Sequence, residues 1–497
     1  MDFNYLTLII FLPVAGAIVI SLLPGLSSRL IRYIASLFTF IPLAISIFLF
    51  IAFDRSATAA GTIQFEELSP WISAINANYH LGVDGLSLPL VLLTTLIGFL
   101  VVLISWKINL RVREYFAWLL LLEASILGVF CSLDLLLFFI FWEIEVIPMY
   151  FLISIWGAGR KEYSAIKYVV YTLFGSALML TGILSLYFTT GSLSIIDMTH
   201  SGSAMVQSLM PAAPIFFMLL AGFAIKLPVF PLHTWLPDAH TDAPTAGSVV
   251  LAGTLIKMGG YGMIRVCVGI FPQVAQNYAQ LLLALAVVNI VYGAAVTLRQ
   301  TDLKRFIAYS SISHMGFVLL GIFALGELSM VGAGLQMFSH GIVTGLLFAV
   351  TGLVMHNTGE RNISKLGGLA KQIPFIAVIF TVGGLASMGV PGTSGFIAEV
   401  TVFIGAFSSS IVDGVNVYTI ISMLGILLAA AYILWLLRGV FFNQPLEKFN
   451  GTADADRLEK TYCAIFVAAI LVIGIYPMIL TDVIRTGITP IANLLGG

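Results

Sequence analysis

The chain has 497 residues, 59% of them hydrophobic and 9% charged, where a soluble globular domain carries about 25% charged residues. Apolar stretches of membrane-crossing length recur from end to end, which excludes a soluble domain and gives an all-α polytopic membrane protein as the fold class. A formal net charge of −1 offers nothing to attract nucleic acid, and Cys131, Cys267 and Cys463 lie far apart with no CxxC or Cys/His cluster, which argues against iron–sulfur and structural zinc sites.

The N-terminus has no basic leader and is followed by further spans, so it reads as a first membrane helix, about Phe3 to Leu23, rather than a signal peptide. The second helix covers about Arg32 to Ala52. Asp54 to Asp84 is a polar loop with Pro70, Trp71 and His80, in which a small hairpin would fit. The third helix is about Gly85 to Trp106, the fourth Tyr115 to Cys131, the fifth Asp134 to Trp156, and the sixth runs to about Thr189. The seventh begins near Pro211 and breaks between Lys226 and Pro231, because proline removes a donor and disrupts a helix interior. The eighth is about Thr245 to Ile270, the ninth Ala279 to Leu298, the tenth Phe306 to Leu325 and the eleventh Met330 to Met355. The twelfth starts near Pro374 and is broken at Gly389-Val390-Pro391-Gly392. The thirteenth is about Val417 to Leu437 and the fourteenth Thr461 to Ile484.

Most lysines and arginines outside these helices fall in alternate connections, the first between helices one and two and the last between thirteen and fourteen; the opposite set carries little more than Arg55. Positive charge inside places the basic loops in the cytoplasm and both termini on the lumenal or periplasmic side. The breaks in the seventh and twelfth helices are five helices apart. A five-helix offset reverses topology, the mark of an inverted repeat, and broken helices at matching positions point to an ion path. This divides the chain into an N-terminal three-helix segment with its outer-side loop (1–113), a first repeat of helices four to eight (114–270), a second of helices nine to thirteen (271–440) and a C-terminal part with helix fourteen (441–497). Coincidental proline kinks are the bland alternative.

Ionisable residues inside spans are costly and mark function by default. Glu143 lies deep in the fifth helix, Lys226 at the seventh-helix break, Lys257 within the eighth, His314 and His340 in the tenth and eleventh, and Glu399 in the second part of the twelfth. Acids, amines and imidazoles in succession are what a proton relay needs. Burial disfavours a charge and an ion pair restores it, so making and breaking one Glu143–Lys226 pair could drive the relay. Secondary candidates are Glu123, Glu145, His233 and His240. Glu145, two positions from Glu143, points away from it on a helix, toward a neighbouring subunit or a supporting position. His233 and His240 either line the inner inlet or cap broken backbone. Asp302 and Lys304 read as interfacial, and Arg265 as snorkelling. Static bridges between helices are the rival reading. No nucleophile elbow, triad or phosphate-binding glycine loop is present, so no nucleotide, flavin, haem or metal is expected in this chain.

Five segments carry a family resemblance: Phe141-Trp142-Glu143; Lys226-Leu227-Pro228-Val229-Phe230-Pro231-Leu232-His233-Thr234-Trp235-Leu236-Pro237-Asp238-Ala239-His240; Ala243 to Ser248; Leu303 to Gly316; and Pro391 to Glu399. With them the chain resembles, over nearly its whole length, the M-type antiporter-like subunit (subunit 4) of proton-pumping complex I. The resemblance implies fourteen helices in two inverted repeats, a Glu143–Lys226 switching pair, Lys257 as the central relay lysine, His314 and His340 on the connecting path, and Glu399 as the exit-side acid. It also implies that iron–sulfur clusters and the quinone site belong to other subunits, with neighbouring antiporter-like subunits and hydrophilic subunits as partners. Among such complexes the chain is most similar to the cyanobacterial photosynthetic form, whose plastoquinone chemistry sits in the thylakoid membrane. Trp142 to Tyr150 are similar to its carbon-dioxide-uptake variant. A respiratory complex in a bacterial plasma membrane, a multisubunit sodium/proton antiporter subunit and a structural scaffold are the competing readings.

Overall fold

The computed structural model describes residues 4–56, 61–201 and 211–496. Among these, twelve helical runs are long and apolar enough to cross a membrane. The chain begins with α1 (Tyr5–Leu22) and α2 (Ser28–Ala52), the latter started by Ser27, whose side chain accepts from the Leu30 N–H. An antiparallel hairpin follows, β1 (Gln64–Ile72) and β2 (Ala77–Val83), paired from Gln64↔Val83 to Ile72↔Ala77. Its Glu67 accepts the Leu6 N–H at 2.7 Å, tying the hairpin to the start of α1. Next come α3 (Ser87–Ile104), α4 (Val112–Cys131), α5 (Leu135–Ile144), α6 (Val146–Trp156), α7 (Lys161–Thr190) and the short α8 (Ile195–Ser201).

The seventh expected helix is a short pair, α9 (Ala212–Lys226) and α10 (Trp235–Asp242), separated by the turn that holds Pro228 and Pro231. The eighth is irregular. It runs as α11 (Thr245–Val250), a π-helical turn over Leu251–Leu255, α12 (Lys257–Gly262) and a second π-helical turn over Met263–Val268. Then follow α13 (Pro272–Thr297), α14 (Leu303–Phe323) and α15 (Glu327–Thr358), the last two almost wholly enclosed by other helices. The twelfth expected helix is also a pair, α16 (Pro374–Ser387) and α17 (Ser394–Phe407), followed by α18 (Val415–Leu437) and α19 (Arg457–Ile475).

Two expectations need correction. The fifth helix is interrupted at Glu145, because Pro148 has no N–H to give the Ile144 carbonyl and its ring crowds that turn. The fourteenth does not continue to Ile484. It stops at Ile475, ahead of Pro477, and a separate α20 (Met478–Asn493) folds back against the loop that carries the hairpin. There the Gly61 N–H donates to the Thr486 carbonyl at 3.1 Å. Gly85 packs so closely on Val483 and Thr486 that a methyl group would collide with the Val483 carbonyl.

Two places in the chain are built alike. Asp134 caps α5 by accepting from the Leu136 and Leu137 N–H groups, and Asp302 caps α14 by accepting from those of Lys304 and Arg305. Each also forms a lone antiparallel bridge to the segment after the next long helix, Asp134 to Ser194 and Asp302 to Asn362.

Candidate functional site

The breaks leave backbone carbonyls that lipid cannot satisfy, and the side chains around them supply partners. After α9, the Ile225 carbonyl accepts the Trp235 indole N–H at 2.8 Å. Lys226, the last residue of α9, is 1% exposed and ion-pairs with Glu145, which is 0% exposed. Tyr168 of α7 donates to the other Glu145 oxygen at 2.6 Å. The Lys226 ammonium lies 5.4 Å from the ring centroids of both Trp142 and Tyr168, a cation flanked by two π faces.

The lysine therefore does not meet the expected acid. Glu143 and Glu145 do point apart, as helical spacing requires, and it is Glu145 that faces inward, to Lys226. Glu143 is only partly buried and lines an apolar cleft of ≈ 420 Å³ with Ile147, Tyr150, Val169 and Leu173. One of its oxygens is buried with no hydrogen-bond partner among the described residues.

Lys257 sits where the first π-helical turn hands over to α12. In that turn the Ile256 N–H reaches back five residues to the Leu251 carbonyl rather than four to Ala252. The Ala252 carbonyl is thereby released, and the Lys257 ammonium donates to it. The same ammonium lies 2.8 Å from Nδ1 of His340 on α15. His340 faces His314 of α14, with ring centroids 5.7 Å apart, and Nδ1 of His314 lies 3.2 Å from Glu399 of α17. Ser387 is 3.2 Å from the other nitrogen of His314. A cavity about the size of one water (≈ 10 Å³) opens among His314, Ser339, His340, Thr344, Ser387 and Glu399. Lys226 and Lys257 stand on abutting elements, since Gly259 of α12 packs against the Phe223 carbonyl and Leu227 at the end of α9.

His240 is fully buried and stacks on Phe348 at 4.5 Å, with neither ring nitrogen hydrogen-bonded among the described residues. Beside it, Ser248 donates to the His240 carbonyl at 3.0 Å. Lys304, expected at the interface, is instead 3% exposed and donates to the Ala243 carbonyl at 2.5 Å. Glu123 is buried between α3, α4 and α11, lining a second cavity of ≈ 10 Å³ with Thr94 and Thr254. His233 is not brought to this line; its ring packs on Phe230 and Tyr292. Arg265 does not snorkel to water alone but pairs with Asp84 at the start of α3.

Sequence reasoning missed three participants. Tyr168 and Asp84 are supplied from distant parts of the chain and carry no local signal. Asp238 of α10 bridges Lys167 of α7 at 2.7 Å and Arg305 of α14 at 2.8 Å. An acid in the α10 turn with basic residues starting two other helices could have suggested it. Among the described residues, no group of three His, Cys, Asp or Glu side chains is arranged to hold a metal.

Comparison with known proteins follows the same lines. The family model described as "NADH:quinone oxidoreductase/Mrp antiporter, TM" matches residues 132–425. The chain is 41% identical to NAD(P)H-quinone oxidoreductase chain 4 1 of Synechococcus elongatus, covering 99% of this chain and 92% of the relative. It is 39% identical to NADH-quinone oxidoreductase subunit M of Rhodobacter capsulatus, covering 97% and 95%. A chain of the respiratory complex I from Thermus thermophilus with bound NADH superposes with a TM-score of 0.86 at 28% identity, covering 99% of this chain and 100% of that one.

Proposed function

Because the chain belongs to the NADH:quinone oxidoreductase/Mrp antiporter family of membrane subunits, we propose that it carries protons across the bilayer as an antiporter-like subunit of a complex I-type quinone oxidoreductase. The observation that carries this reading is the buried line Lys257–His340–His314–Glu399, with links of 2.8 Å and 3.2 Å at its two ends. Each member can take or give a proton, and each is reached through protein rather than lipid. Static bridges would not need two imidazoles between a lysine and an acid.

In this reading Lys226 and its carboxylate form the switch, Lys257 the central relay, His340 and His314 the connection, and Glu399 the exit. Lys304, Ser248 and His240 lead toward Lys257 from the basic-loop side. The redox centres and quinone belong to other subunits. The pairs α9/α10 and α16/α17 each count as one broken crossing, which brings the total to fourteen. The matching aspartate caps and bridges of α5 and α14 support two inverted repeats, 114–270 and 271–440, between the flanking parts 1–113 and 441–497. Charge asymmetry puts the basic loops in the cytoplasm and both termini across the membrane.

The finer reading is a cyanobacterial thylakoid complex reducing plastoquinone, in its carbon-dioxide-uptake form. The similarity to the Synechococcus relative supports the cyanobacterial part of it, although the Rhodobacter relative is only two percentage points less identical. Purification of the tagged chain with its companions separates these readings. Iron–sulfur and quinone-site subunits place it in a complex I. Carbonic-anhydrase-like partners select the uptake form. Small antiporter subunits without redox proteins select a sodium/proton antiporter. The mechanism itself is tested by Lys226→Ala: the assembled complex should lose coupled proton transfer, and a normal proton-to-electron ratio in assembled mutant complexes rejects the relay.

A further inference from the structure

We propose that Glu145, supported by Tyr168, is an interior seat for the Lys226 ammonium and that Glu143 is a second seat on the opposite side of the same interrupted helix, so that one lysine is shared between two carboxylates. The inference rests on the proton-translocating reading of the chain. It adds a residue, Glu145, that the relay deduced from the sequence treats as peripheral.

Four observations meet here. Glu145 and Lys226 are both enclosed, and both Glu145 oxygens are engaged, one by the ammonium and one by Tyr168 at 2.6 Å. Glu143 lies two residues away with a buried, unpartnered oxygen, in a cleft that faces out of the bundle. Trp142 and Tyr168 flank the ammonium at 5.4 Å each, so it has π faces to lean on while leaving either acid. The helix is interrupted between α5 and α6 at Glu145 itself, one residue beyond the turn that carries Glu143. The two acids stand about 200° apart on a regular helix, so the exchange takes a swing of the long lysine side chain together with a turn of the backbone at this interruption.

The proton balance follows from burial. An enclosed carboxylate without its cation is strongly disfavoured. When the ammonium leaves for Glu143, Glu145 takes up one proton originating in the aqueous phase. When the ammonium returns, that proton is released, and the Tyr168 hydroxyl already in contact with Glu145 is the group that passes it on. No electron moves and no bond other than O–H is made or broken. Each excursion of Lys226 thus loads and unloads one proton at Glu145, in addition to any proton the lysine itself delivers toward Lys257.

The test uses the intact complex in inverted vesicles of its own membranes, reading protons moved per electron transferred. Glu145→Gln should remove this subunit's share of the ratio, since it removes one partner of a buried pair. Glu145→Asp should restore much of it, and Tyr168→Phe, which removes one charge-assisted hydrogen bond, should lose a smaller part of the ratio than Glu145→Gln does. A wild-type ratio in Glu145→Gln alongside a loss in Glu143→Gln overturns the second seat. Should Glu145→Gln fail to assemble, wild-type ratios in both Glu145→Asp and Tyr168→Phe overturn it instead. Lys226→Ala separates the levels. If that variant keeps the ratio, the translocation reading falls and this one with it. If Lys226→Ala loses the ratio while Glu145→Gln keeps it, only the interior seat is rejected.

Discussion

Lys257 and His340 offer the sharpest test of whether the buried groups act in series. The ammonium is 2.8 Å from the imidazole nitrogen, a direct contact, and the proposed path continues to His314, whose ring centroid lies 5.7 Å beyond. Groups in series are lost once, by whichever is removed first, whereas static bridges contribute separately. Lys257→Met keeps the unbranched shape and avoids opening a cavity, so it removes the charge with little loss of packing. His340→Leu does the same for the imidazole. If each group supports proton transfer by about 10²-fold, independent action predicts a loss of about 10⁴-fold in the double variant, and series action about 10²-fold. The difference is a coupling of about 2.7 kcal/mol, inside the range seen for residues in direct contact.

The assay is the initial rate of pH-gradient formation in inverted vesicles, divided by the rate of quinone reduction and by the amount of assembled complex. The three variants should then be equally impaired within about a factor of two or three. Multiplicative losses, with the double variant far below either single one, would refute a serial path through this contact and favour two separate structural roles.

Other expectations follow from the same geometry. Asp238→Asn leaves Lys167 and Arg305 without their shared acid and should destabilise the assembled protein by about 2 kcal/mol, below the full cost of breaking a buried pair because the Arg305 side chain is 34% exposed; thermal denaturation in mild detergent checks this, and an unchanged midpoint rejects the bridge. Gly389 has φ +72° and a methyl group there would stand 2.7 Å from a Glu399 oxygen. Gly389→Ala should therefore cost about 1 kcal/mol in backbone strain and displace the exit acid, visible as a lower proton-to-electron ratio in complexes that still assemble. A wild-type ratio in that variant shows that Glu399 tolerates displacement.

Much of this was legible because the bilayer makes composition informative. Hydropathy marked the long spans, and the proline and glycine clusters marked both broken helices. Lys257, His340, His314 and Glu399, picked out as ionisable residues in apolar runs, touch or face one another in turn across α12, α15, α14 and α17. What spacing could not supply was rotation about a defect. Glu143 and Glu145 were correctly set on opposite sides, yet which side meets Lys226 depends on how the helix packs against α7 and α9, which spacing does not give. Lys304 looked interfacial because it follows a polar turn; its acceptor is a carbonyl sixty-one residues earlier, at Ala243. The end of the fourteenth helix was misplaced because α20 is apolar enough on one face to pass for a continuation.

Apart from Glu123, which sits within the unbroken α4, the enclosed charges of the site share a local cause. A regular helix has no spare backbone group to offer a buried ammonium or carboxylate, because each carbonyl is taken by the N–H four residues on. A defect releases one. Lys226 ends α9 at its break, Lys257 uses the carbonyl that a π-helical turn frees at Ala252, and Lys304 uses the Ala243 carbonyl just past α10. Glu145 stands at the interruption between α5 and α6, and Glu399 lies against Gly389 in the break between α16 and α17. The irregular backbone and the ionisable side chains are thus one feature. The defect lowers the cost of holding a charge in the bundle, and a backbone already loosened there is the one most easily turned when that charge must change partners.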